Sequence, residues 1–326
     1  MKCHNTIVVA LATAFAAAAV SAQEAPTFGY PVGFSVSKMD TSVSPRKDFT
    51  RYAAGKWYDA MEIPADQKGV SGLSLMSKRT DVLLGQLVEE ATRKAASAPK
   101  GSPTQQVGDL YAAGMDEARL KALGNAPLQP VFQRIRVISD KQQLPSEIAR
   151  LQLATNDTIM LGGAVTPGIR DKSKYIFVVS DSSLLLSNFE DYYKPEAARY
   201  REAYLKNVTD TLVLAGFNIS ESRAFADKAL AIETRIAKVR QPLLDQNEPD
   251  KRYLLMRYEE LKALTPAFDW DTYFATIGLM PPTEVTAVET KAMAERSAIL
   301  SELSLDDLKM LLMWEYLRRV TGGLSP

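Results

Sequence analysis

Apolar residues recur at three- and four-residue steps over most of the chain, and the period shortens to two only near the middle. That pattern predicts a mainly α, multi-helix fold with a small antiparallel β-hairpin. Ser44 and Pro45 read as the cap and first turn of a helix that puts Phe49, Tyr52 and Ala53 on one face. Gly55 is placed to end it, with Trp57 packed over the end. A polar loop after Ile63-Pro64 leads to a second helix, whose Leu73, Met76, Leu83, Leu84, Leu87, Val88 and Ala91 form a stripe expected to face the core. From Ala95 to Pro103 the residues are those of a surface loop. Val107, Leu110, Tyr111 and Met115 carry the next helix, and their spacing extends towards Leu120 and Leu123 until Gly124 stops it. Phe132 and Ile135 lie on a further helix, and Ile148 and Leu151 on one begun near Pro145 or Ser146.

Between Thr158 and Leu186 the runs Ile159–Val165 and Tyr175–Ser180 are short, rich in β-branched residues and separated by a loop with Pro167, Gly168 and Asp171. They are read as two antiparallel strands. Helices return from Ala197 to Leu214, stopped by Gly216, and then along Phe225, Ala229, Ile232, Ile236 and Val239, the cleanest core-facing stripe in the chain. Asp269 is suited to cap a helix that buries Trp270, Tyr273, Phe274 and Ile277. Glu284 to Val288 is open to a short strand, and Ser304 with Asp307 makes a capping-box pattern ahead of Leu308, Leu311, Leu312, Trp314 and Leu317.

The start of the chain changes the picture of its compartment. Met1-Lys2-Cys3-His4 is followed by an apolar run from Ile7 to Val20 and the small-residue end Val20-Ser21-Ala22, the form of a secretory signal peptide cleaved after Ala22. The run is too short to span a bilayer comfortably and has no stop-transfer flank, so no transmembrane anchor is expected after cleavage, and the product is expected to be periplasmic or secreted. Residues 23–39, rich in Pro, Gly and Ser, read as an extended lead-in, and residues 40–326 as the folded domain. Lys and Arg total 39 against 39 Asp and Glu, which offers no surplus for nucleic acid as a partner. The single cysteine, Cys3, and the single histidine, His4, both fall in the leader, so the mature chain holds neither. Intrachain disulfides and Ser-His-Asp or Cys-His catalysis are excluded with them.

What remains of candidate chemistry is weak. Ser35/Lys38, Ser44/Lys47 and Ser97/Lys100 fit S-x-x-K, but three unrelated occurrences without an S-D-N or K-T-G partner point to coincidence. Glu89-Glu90, Glu259-Glu260 and Asp306-Asp307 point in different directions on helices and read as solvated surface. Gly162-Gly163 lacks the following Gly-Lys-Ser/Thr of a phosphate cradle and reads as a bulge or close backbone contact. The sequons at Asn156, Asn207 and Asn218 are taken as chance.

The run from Asp40 to Trp57 resembles the opening of the neprilysin-like (endothelin-converting-enzyme-like) zinc metallopeptidases, with Ser42, Val43, Pro45, Asp48, Phe49, Tyr52, Ala53, Gly55, Trp57 and Ile63-Pro64 in step. Gly108-Asp109-Leu110-Tyr111, Met115-Asp116-Glu117, Leu123-Gly124, Pro127-Leu128, Ser173–Ile176, Asp191-Tyr192-Tyr193 and Phe268–Tyr273 resemble the same family, so the likeness runs from about Asp40 to about Val320. It implies a cap-type N-terminal domain that encloses peptides over a catalytic half. In that family zinc is held by the two histidines of H-E-x-x-H and a later glutamate, all in the C-terminal half. This chain is read as truncated before that half and inactive alone. No catalytic residue, metal ligand or cofactor is assigned to it, and its substrate-binding residues are left unknown. The expected partners are a catalytic half supplied by a separate chain, or a peptide ligand; the alternative is a free-standing module that binds a peptide or protein. Two departures stand out. Arg46 and Ala54 occupy the positions of a family cysteine pair, and Gly69–Ser74 replaces an Arg-Trp-Gly-x-Phe-Asp run whose charged groups the resemblance gives to substrate. Lys68 offers a point charge there without arginine's bidentate geometry.

Overall fold

Asp48, rather than Ser44, caps the first helix, α1 (Phe49–Ala60): its carboxylate accepts from the Arg51 amide at 2.8 Å, while Pro45 lies in a preceding turn. The computed structural model describes residues 35–324 except positions 66, 68 and 170 and the side chains of residues 243 and 244. The expected leader and residues 23–34 of the lead-in lie outside the described residues. The end of the lead-in is one 3-10 turn, Val36–Lys38. Gly55 does not end α1. It lies inside the helix, where a Cβ would come within 2.7 Å of the Asp40 Cβ, and its lack of a side chain lets the Asp40 amide reach the Tyr52 carbonyl at 2.9 Å.

The described residues divide into two compact units, 35–115 and 116–324. The first holds α1, α2 (Gly72–Lys94) and α3 (Pro103–Gly114). Ser71 and Ser74 cap α2 reciprocally, each hydroxyl accepting the other's amide, at 3.1 and 2.9 Å. Against α3 it turns small residues, since a Cβ on Gly108 would lie 2.5 Å from the Ala91 carbonyl oxygen. The stripe expected to face a core does not do so within this unit: Leu73 is 75 % exposed, Leu87 61 %, and Met76 and Leu84 are also exposed. One neighbouring helix reached through Ala91 and Gly108 covers too little of α2 to bury its larger residues.

In the second unit the helix expected to run on to Leu123 breaks, because Asp116 caps a separate α4 (Glu117–Leu123), and Gly124 ends it with φ +51°. There follow α5 (Gln129–Arg136), α6 (Leu144–Thr155), β1 (Leu161–Pro167), β2 (Tyr175–Asp181), α7 (Ala198–Leu214), α8 (Ile219–Val239) and the single turns α9 (Leu243–Gln246) and α10 (Pro249–Arg252). β3 (Tyr253–Arg257), α11 (Tyr258–Leu264), α12 (Trp270–Thr276), β4 (Glu284–Val288), α13 (Thr290–Glu302) and α14 (Leu305–Val320) complete it. The expected hairpin of β1 and β2 is present, and it belongs to a four-stranded sheet in the order β1-β2-β4-β3. β2 runs parallel to β4, with Val178 beside Thr286, and β3 runs antiparallel to β4, with Leu255 beside Thr286. Phe177, Val179, Val285 and Ala287 are buried on one face, where the Phe177 ring meets Phe274 of α12 edge-on at 4.8 Å. Trp270, Tyr273 and Phe274 are buried as expected, as are Phe225, Ala229, Ile232 and Ile236 of α8 and Leu308, Leu311, Leu312, Trp314 and Leu317 of α14. Among the described residues no helix is long and apolar enough to cross a membrane.

Candidate functional site

The motifs singled out in the sequence resolve into structural roles. Gly162 and Gly163 lie in β1, where a Cβ would come within 2.2 Å of Gln152 Oε1 and 2.0 Å of the Val178 carbonyl oxygen respectively. Their bareness admits a bridge: the Tyr273 hydroxyl donates to Gln152 Oε1 at 2.7 Å and accepts from the Gly163 amide at 3.2 Å, tying β1, α6 and α12 together. Ser97 Oγ donates to the Lys94 carbonyl, and Ser44 accepts the Lys47 amide through its own carbonyl in a turn. Glu89 and Glu90 pair along α2 with Arg93 and Lys94, Glu259 with Lys262, Glu260 with Arg257, and Asp306 with Lys309, while Asp307 reaches Lys228. Asn156 ends α6 in the left-handed region, and Asn218 caps α8. Ser71 and Ser74, in the stretch where the family resemblance places charged substrate contacts, are the cap and the first turn of α2 and spend their hydroxyls on capping it.

The densest chemistry lies elsewhere, at the end of β2. Asp181 Oδ2 accepts from Arg240 Nη2 at 2.6 Å and lies 3.7 Å from Arg296 Nε. Arg240 Nη1 is 3.8 Å from Glu289, whose carboxylate also accepts from the Gln241 amide at 3.1 Å and Gln246 Nε2 at 3.2 Å. Glu289 has φ +57°, a strained conformation for a residue with a side chain. Arg296, fully buried, stands 3.9 Å from Glu315, which Arg318 and Arg319 hold at 3.0 and 2.5 Å. Nearby, Glu233 accepts from the Leu185 amide at 3.0 Å and from the Tyr192 hydroxyl.

Burial and charge act on these carboxyls in opposite directions. For Glu315 burial pushes upward, but the guanidinium groups of Arg318, Arg319 and Arg296 outweigh it and hold the carboxyl at about 2. Burial wins at Glu233 and Asp181, which are raised; Arg240 and Arg296 oppose the shift at Asp181, and the Tyr192 hydroxyl opposes it at Glu233. The network joins β2, α8, α13 and α14, and a cavity of about 430 Å³ opens beside it at the carboxyl ends of β2 and β4. Asp181, Glu289 and Glu315 are matched to guanidinium groups, and Glu233 is held by the Leu185 amide and the Tyr192 hydroxyl. Among the described residues no group of three or more His, Cys, Asp or Glu is placed to hold a metal ion. Zinc, which the family resemblance implies, therefore does not fit the donors present in the described part of this chain.

Sequence reasoning missed this network. Its signal was a charged residue standing within an apolar helical stripe: Glu233 beside Ile232 and Ile236, Arg296 between Met293 and Ile299, Glu315 beside Trp314.

The family model of peptidase family M13, for its N-terminal part, matches residues 45–326. The chain belongs to peptidase family M13. Among relatives, it is 24 % identical over 249 residues to an endothelin-converting enzyme homolog of Locusta migratoria, covering 74 % of this chain and 34 % of that protein. It is 22 % identical over 314 residues to Neprilysin-3 of Drosophila melanogaster, covering 89 % of this chain and 39 % of that one. Of solved structures, the inhibitor complex of Mycobacterium tuberculosis zinc metalloprotease ZMP1 aligns with a TM-score of 0.77 at 22 % identity, over 90 % of this chain and 45 % of that one. PepO from Lactobacillus rhamnosis HN001 gives 0.60 at 19 % identity, over 82 % and 41 %. The M13 resemblance read from Asp40–Trp57 and the later motifs thus holds, and the mainly helical fold is that of the family's N-terminal region. This M13 chain spans about a third to two-fifths of the length of the curated relatives it matches.

Proposed function

We propose that this M13 chain is an exported, substrate-enclosing N-terminal domain, and that peptide hydrolysis requires a zinc-bearing catalytic half made of residues outside this sequence. The observation that carries the reading is compositional: the only histidine and cysteine are His4 and Cys3, within the leader-like segment. An M13-type zinc site needs two histidines and a glutamate around an open coordination position, and dispersed carboxylates already paired with arginine do not replace them. The domain's own part is to shape a chamber, admit peptides and limit water around the scissile bond.

Purified residues 23–326 with added zinc are expected to show no chelator-sensitive cleavage of a quenched fluorogenic peptide. Co-expression with an H-E-x-x-H-bearing M13 C-terminal half is expected to give a co-purifying pair with that activity. Chelator-sensitive turnover by the isolated chain sinks the reading. Failure of any C-terminal half to associate favours a free-standing module that binds a peptide or protein.

A further inference from the structure

The sheet of the second unit is packed on one face only. Phe177, Val179, Val285 and Ala287 are buried, whereas the alternating residues Ile176, Val178, Val288 and Tyr253 are only half-buried, and Leu255 is 59 % exposed. A sheet face turned to water normally alternates to polar side chains. This one keeps an apolar middle of Ile176, Val178, Val288, Tyr253 and Leu255, with Thr166, Ser180, Glu284 and Arg257 around it. Across the strands the register sets Ala164, Val178, Thr286 and Leu255 in one row, so the small, buried Thr286 forms a floor between larger walls. A trough of about 570 Å³ results, bounded by Ile176 on β2 and by Tyr253 and Leu255 on β3, with Pro282 at one end. Glu284 stands at that same end of β4, exposed and without an ion pair among the described residues. On the far side, β3 is an edge strand, so its outer backbone groups pair with no other strand of the sheet.

Those three features together fit one kind of occupant. An extended polypeptide can add main-chain hydrogen bonds to a free edge and send alternate side chains into an apolar trough beside it. On the rim Lys174 pairs with Asp171 at 3.6 Å, and Arg257, opposite Glu284 across the strands, is held by Glu260 at 2.9 Å, so the Glu284 carboxylate is left to favour a cation there. We propose that the trough over Thr286 and the free edge of β3 bind an extended peptide segment in which a basic residue neighbours aliphatic or aromatic ones. The apolar side chains lie between Ile176 and Leu255, and the basic group meets Glu284. The inference rests on the reading of this chain as the peptide-enclosing part of an M13 peptidase, and it names the peptide chemistry that part selects. Binding at the trough itself needs neither zinc nor a second chain.

The test is fluorescence anisotropy of the mature chain with a short labelled peptide of Val, Ile and Tyr around one Arg, and with its Arg-to-Glu counterpart. Saturable binding of the Arg peptide is expected, weaker by about tenfold or more for the Glu peptide and for the variants Leu255→Glu and Glu284→Lys. Leu255 and Glu284 are exposed, so both variants are expected to keep the parent's circular dichroism and melting curve. The peptide preference should reverse in Glu284→Lys, an outcome that a merely sticky surface does not produce. Leu214→Glu, at another exposed apolar position, should bind as the parent does. No saturable binding, or equal loss in Leu214→Glu, overturns the proposal, as does a dimer that Leu255→Glu converts to monomer without any peptide affinity. Active pairing with a catalytic half but no binding here defeats the trough alone, while zinc-dependent turnover by the isolated chain defeats the broader reading alone.

Discussion

Glu315 shows how much one side chain holds in place. It sits against Arg296, Arg318 and Arg319 inside the second unit, sharing Arg296 with Asp181 and Arg319 with Asp157. Removing it leaves buried guanidinium charge unmatched, so Glu315→Gln is expected to lower stability by about 3–5 kcal/mol in urea unfolding at neutral pH. Because its folded-state value is depressed to about 2 from 4.5, its contribution is complete above the unfolded value and is lost as pH falls through the folded one. The melting temperature of the parent should therefore drop between about pH 5 and pH 2, with a part of that drop missing in Glu315→Gln. At Gly163 a methyl group would meet the Val178 carbonyl, whereas at Gly85 in α2 it meets nothing within 4 Å. Gly163→Ala should consequently unfold or misregister the hairpin. Gly85→Ala should gain roughly 0.5–1 kcal/mol, both read by thermal melts. The close-contact role of Gly162-Gly163 was legible in the sequence by elimination of a phosphate motif. Gly55's role was not, because the partner that crowds it, Asp40, comes from a turn outside the helical pattern.

Helix α2 illustrates what a periodic stripe does and does not say. Spacing marks a face as apolar, and the capping residues mark where the helix begins, but neither says what lies against the face. In α8 and α14 the stripe meets neighbours within the same unit; in α2 it is exposed there. Single charges on that stripe, Leu84→Glu or Leu87→Glu, are thus expected to change the stability of the isolated chain by no more than about 0.5 kcal/mol. Ile148→Ala and Ile236→Ala, both fully buried, should each cost about 2–5 kcal/mol. Chemical denaturation of all four variants separates the two cases. Strand β3 was hidden for a different reason. Tyr-Leu-Leu-Met-Arg favours no strand by composition, and its extended form comes from pairing with β4.

For the whole chain, family membership and mainly helical class were readable because the motifs of the first sixty or so residues and those near Trp270 are local strings. The four-stranded sheet and the buried ionic network were not, because both join segments far apart in sequence. A chain without histidine or cysteine beyond residue 4 should respond little to zinc. Neither zinc nor a chelator is expected to shift the melting temperature of residues 23–326, and a clear upward shift with zinc would reveal a metal site in the folded chain.

The parallel pairing of β2 with β4 sets a schedule for folding. Val178 and Thr286 touch across the sheet yet lie more than a hundred positions apart, with α7 to α12 and β3 between them. Closing so large a loop is slow, and it waits until β4 itself has been synthesised. A nascent chain stalled anywhere before Val288 would hold the β1–β2 hairpin with one long side unzipped, open to chaperones, to proteases or to another molecule's strand.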